Sequence, residues 1–96
     1  MLIGLTVKNI RKSKGLNQKD LAKGAGISQT YLSQLESDKK NPTKSTLEAI
    51  SDMLEVPLPV ICWLSLTELD VHQDKIDIYR KLKPTMDSIV NDLFIL

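Results

Sequence analysis

The chain has 96 residues and a formal charge of +1, with 42% hydrophobic and 26% charged residues; that is enough for one ordinary core and too apolar for whole-chain disorder. No apolar run reaches the roughly 18 residues that span a bilayer, and Met1 to Leu5 is too short for a signal segment, so a cytoplasmic location without membrane attachment is expected. One cysteine, Cys62, and one histidine, His72, exclude an intrachain disulfide framework and a Cys/His metal site.

Apolar residues recur at intervals of three and four rather than two, which predicts an all-helical chain. Ile3, Val7 and Ile10 mark the first helix, which ends near Lys14 because Gly15 suits the left-handed position after a helix. Asn17 caps a short second helix with Leu21, Ala22 and Ala25 on its apolar face. Ser28 caps a third, which turns Leu32 and Leu35 inward, and the polar run from Ser37 to Pro42 is a loop. Thr43 caps a fourth carrying Leu47, Ile50, Met53 and Leu54. Pro57 and Pro59 open a fifth with Leu58, Ile61, Cys62 and Leu64, in which Cys62 reads as a buried small hydrophobe and Trp63 as a partly buried packing residue. These five helices make one domain, residues 1–66.

Residues 67–96 read as a helical extension: a charged segment to Lys83, broken by Pro84, and then an apolar stripe of Met86, Ile89, Val90, Leu93 and Phe94. Such a stripe must be covered, either by the chain's own core or by the same stripe of a second copy. The charges divide along the chain. Residues 1–44 carry nine basic and three acidic side chains, and residues 45–96 carry four basic and nine acidic, so a polyanion is expected at the first part and not at the second.

The stretch QKDLAKGAGISQTYLSQLES, residues 18–37, holds the most information. Two short helices cross at a wide angle only if a small residue lets their backbones approach, a glycine takes the left-handed turn and a few apolar residues form the joint. Ala22, Gly26 and the set Leu21, Ala25, Ile27, Leu32 and Leu35 meet those conditions. This segment, with RKSKGLNQKDLA, NPTKSTLEAIS and LEVP around it, resembles the helix-turn-helix of the lambda repressor and Cro family over residues 10–64.

The resemblance implies a five-helix, lambda-repressor-like domain on double-stranded DNA, with the third helix in the major groove and dimers reading two half-sites. Ser28, Gln29, Thr30, Ser33 and Gln34 would then face the bases, since glutamine pairs with adenine and the hydroxyls serve several bases. Gln18 matches a family position that donates to a phosphate and braces the third helix. Tyr31 would add its hydroxyl, and Lys39, Lys40 and Lys44 flank the loop that grips the backbone. Arg11 and Glu36 match a structural ion pair. Asp38 and Glu55 stand where the family usually has glycine; aspartate tolerates the left-handed conformation better than most residues, so the first departure is mild, and glutamate at the end of the fourth helix costs more. No nucleophile with a base, cofactor motif or metal set is visible, so the expected function is a DNA-binding transcriptional regulator, a dimeric repressor, rather than an enzyme. The alternative is an antitoxin-like or adaptor protein that holds a partner protein through residues 67–96.

Overall fold

The computed structural model describes residues 1–95, and the described residues contain helices and turns without strands. The helices are α1 (Ile3–Ser13), α2 (Gln18–Ala25), α3 (Gln29–Glu36), α4 (Lys44–Leu54), α5 (Leu58–Ser65) and α6 (Ile76–Phe94); two single 3₁₀ turns, Glu68–Asp70 and Gln73–Lys75, join the last two. The chain therefore has the all-α, lambda-repressor-like architecture expected of its sequence.

Local chemistry starts three of the helices. Asn17, Ser28 and Thr43 each accept a backbone N–H from the residue three positions on, at 2.7, 3.0 and 3.2 Å, which satisfies one orphan donor of the first turn. One device ends the first four. Gly15, Gly26, Asp38 and Glu55 all have φ between 57 and 73°, and the residue after each donates to a carbonyl five positions back: Leu16 to Arg11, Ile27 to Ala22, Lys39 to Gln34 and Val56 to Ser51. This is the Schellman ending, in which the left-handed residue lets two N–H groups return to the last turn. Glycine supplies it twice and a carboxylate residue supplies it twice.

The core joins helices α1 to α5. Val7, Ile10, Leu21, Ala22, Leu32, Leu35, Ile50, Leu54, Val56 and Ile61 are at most 3% exposed. Helix α1 packs on α3 and α5, and α2 packs on α3 and α4. Gly4 makes the α1–α3 approach possible, because a Cβ there would lie 1.8 Å from the carbonyl oxygen of Leu35. Met53 is exposed and lies over Gly24 of α2 instead of entering the core.

Helix α6 corrects one expectation. It runs unbroken from Ile76 to Phe94 through Pro84. The proline removes a single helical N–H; an i,i+4 pair from Lys83 to Asp87 at 3.2 Å spans it, and Arg80, one turn before it, donates to Glu68 of the connector. The Tyr79 hydroxyl donates to the Leu66 carbonyl at 3.0 Å, and Phe94 and Ile95 rest on the core. Cys62 also differs from expectation: it is half-buried.

Candidate nucleic-acid interface

The α2–α3 pair is fixed from beneath. Leu21 and Ala22 of α2 and Leu32 and Leu35 of α3 are fully enclosed, with Ala25, Ile27 and Tyr31 packed at the edge. Once those positions are spent inward, Gln29, Thr30 and Ser33 are left exposed and Gln34 half-buried. The Ser28 hydroxyl oxygen caps α3 by accepting from the Tyr31 N–H, so only its proton and one lone pair are free for a ligand. The face of α3 is thus polar, uncharged and rich in both donors and acceptors.

Glu36, 4% exposed, lies at the end of α3 and meets Arg11, 7% exposed, in a two-pronged pair: Nε to Oε2 at 2.7 Å and Nη2 to Oε1 at 2.9 Å. Arg11 also donates to the Leu16 carbonyl at 2.9 Å, and the Gln18 side-chain amide donates to Glu36 Oε1 at 3.0 Å. One carboxylate therefore ties α3 to α1 and to the start of α2. The hydrogen bonds that Arg11 donates to Glu36 hold the guanidinium pKa above its ordinary value. Gln18 braces α3 through this bond and keeps a second amide N–H that can still donate.

Asp38 adds a link that the sequence did not reveal. Its Oδ1 accepts the Gly4 N–H at 3.2 Å, across a sequence separation of 34 residues. Helix α1 has no side-chain cap of its own, and the C-terminus of α3 provides one. Beyond Asp38 the chain carries Lys39 and Lys40, both exposed, and then Lys44, exposed as the first residue of α4. A cation at that end of a helix works against the helix dipole.

The apolar stripe of the extension divides in two. Met86, Ile89 and Leu93 are exposed, Val90 is half-buried, and Phe94 packs on the chain's own core. Because the helix continues through Pro84, Ile78 and Leu82 join the exposed set. A reading that stopped the helix at the proline could not find them. Among the described residues, no helix is long and apolar enough to cross a membrane, and no cluster of three His, Cys, Asp or Glu is placed to hold a metal ion.

A buried joint between two short helices, a polar outer face on the second, and basic side chains on the loop that leaves it define a helix-turn-helix protein of the lambda repressor and Cro type. The chain belongs to the helix-turn-helix family, whose model matches residues 7–61. It is similar to the immunity repressor protein of Bacillus phage phi105, 41% identical over 61 residues, which covers 64% of this chain and 42% of that protein. It is also similar to the ImmF control region 10 kDa protein of the same phage, 36% identical over 72 residues, 75% of this chain and 77% of that one. The HTH-type transcriptional regulator SinR of Bacillus subtilis is 39% identical over 56 residues, 57% of this chain and half of that protein. The chain thus spans less than half the length of the immunity repressor and half that of SinR. No solved structure matches it.

Proposed function

We propose that this chain is a transcriptional regulator that occupies a specific operator as a dimer, with residues 1–66 on DNA and residues 67–96 holding the dimer. The observation that carries it is the α3 face: Gln29, Thr30, Ser33 and Gln34 point outward, uncharged, on a helix locked from beneath by Leu32 and Leu35 and from its end by Glu36. Glutamine and hydroxyl side chains suit base edges, and a rigid helix can hold them in register with those edges.

Gln18, Tyr31, Lys39, Lys40 and Lys44 flank that face and take the phosphates; each neutralised phosphate releases counterions and steepens the salt dependence. Repression follows from occupancy: a bound dimer excludes polymerase from an overlapping promoter. The reading is supported by the relatives named as a repressor and as regulators, and by the separation of the basic α3–α4 loop from the acidic C-terminal region. The chain is expected to act in the cytoplasm, without a cofactor and without enzymatic activity.

The test is fluorescence anisotropy of the protein with duplex DNA from upstream of its own coding sequence and with random duplex of equal length, at physiological salt. A preference of roughly 10³-fold or more for the upstream duplex is expected. Equal, weak and strongly salt-dependent binding to both would overturn the operator assignment and favour a protein partner at residues 67–96.

A further inference from the structure

Five large apolar side chains lie exposed along α6. Ile78, Leu82, Met86, Ile89 and Leu93 are 40–68% exposed and recur at intervals of four, four, three and four. That spacing makes one continuous stripe of about 22 Å, the seam geometry of two helices packed side by side. Pro84 falls two residues from both Leu82 and Met86, on the other side of the helix, so its ring does not interrupt the stripe.

The stripe reads nearly the same in both directions. Reversed about Met86, Ile78 takes the place of Leu93 and Leu82 the place of Ile89. The charges of α6 reverse with it. Before Pro84 the helix carries Arg80, Lys81 and Lys83 against Asp77, and after it only Asp87 and Asp92. Arg80 and Lys83 are engaged within the chain, with Glu68 and Asp87. Lys81 and Asp92 are in no ion pair among the described residues, and both are exposed. They lie about three turns apart on the same flank of the stripe; an antiparallel copy sets those flanks side by side with the opposite charges meeting, whereas a parallel copy sets them on opposite sides of the seam, where they do not meet.

We infer that α6 packs antiparallel against α6 of a second copy with the two-fold axis at Met86, Ile78 meeting Leu93 of the other copy, Leu82 meeting its Ile89, and Lys81 pairing with its Asp92. The pairing rests on the dimer proposed for DNA binding and fixes its interface and direction. An isologous contact of this kind closes on itself, so assembly stops at two. Phe94 stays out of the seam, because it is already packed on its own core.

Single cysteines in a Cys62→Ala background, mildly oxidised without DNA, test the direction. Met86→Cys lies on the axis and cross-links with itself. Ile78→Cys and Leu93→Cys do not cross-link alone, but do so when the two variants are mixed. Cross-linking of all three with themselves would mean a parallel pair and overturn the inference, as would cross-linking of none or a chain that stays monomeric by light scattering. Leu82→Glu, at an exposed position, gives a folded monomer. Lys81→Glu weakens the dimer roughly tenfold through its two symmetric surface pairs, and adding Asp92→Lys restores it. Duplex preference is measured on the same samples. Intact cross-linking without preference would fail the operator reading alone, and preference without cross-linking would fail the pairing alone.

Discussion

The two carboxylate residues in left-handed conformation make a prediction with opposite signs. Asp38 and Glu55 occupy the same position of the same helix ending, at φ 59 and 57°. A non-glycine residue there costs about 1–2 kcal/mol, and glycine returns about 0.4–1 kcal/mol of that through the greater freedom of the unfolded chain. The Glu55 side chain is exposed and serves no helix terminus, so Glu55→Gly is expected to stabilise the protein by about 0.5–1 kcal/mol. Asp38 tolerates the conformation better, so glycine relieves less there. It also caps α1 through the Gly4 N–H, a bond of the kind worth about 1 kcal/mol. Asp38→Gly is therefore expected to be neutral to about 1 kcal/mol destabilising, while Asp38→Asn, which keeps an acceptor oxygen, stays near the parent. Urea melts at constant m-value read these differences, and in a chain of this size about 1 kcal/mol moves the melting temperature by roughly 4–8 °C. Equal stabilisation by both glycines would show that the Asp38 cap contributes nothing, and a loss with Glu55→Gly would refute the strain argument itself.

Removal of one side of the buried pair should cost more than removal of both: Arg11→Met strands the Glu36 carboxylate and is expected to cost about 3–5 kcal/mol, most of it recovered in Arg11→Met/Glu36→Leu, as a double-mutant cycle of urea melts would read. Gln29→Ala or Gln34→Ala should lose about 1–3 kcal/mol on the preferred duplex and little on random duplex, whereas Lys40→Ala should weaken both and lower the salt slope by about one; equal losses on both duplexes for the glutamine variants would remove them from base reading. Glu68, hydrogen-bonded to Arg80, and Asp70, bonded to the Thr67 N–H, both have pKa values below the usual carboxylate range. Their contribution is therefore complete above that range, near pH 4, and is lost as pH falls through the lowered values. Release of the connector, read from the NMR signal of Arg80 Nε–H, should come only in that acid window and should already be present at neutral pH in Glu68→Gln.

What the sequence disclosed and what it withheld divide by the range of the interaction. Asn17, Ser28 and Thr43 were legible as caps because a cap reaches only three residues along the chain, and Gly15 and Gly26 because the left-handed turn is local. The α2–α3 joint was legible for the same reason, its small, glycine and apolar positions all lying within one short segment. The Asp38–Gly4 bond spans 34 residues and depends on α1 reaching the end of α3, so a departure from glycine that reads as merely mild in sequence becomes a contact in the fold. Pro84 misled for a related reason. A proline weakens a helix by removing one N–H and crowding the carbonyl four residues back, yet α6 continues through it, with Tyr79 held to Leu66 and Phe94 on the core, contacts that the local sequence does not show. The length of the exposed stripe depends on that outcome: Ile78 and Leu82 align with Met86, Ile89 and Leu93 only if the helix continues. The apolar face available to a second copy is thus set by the continuity of α6 through Pro84 and not by the periodicity of residues 86–94 alone.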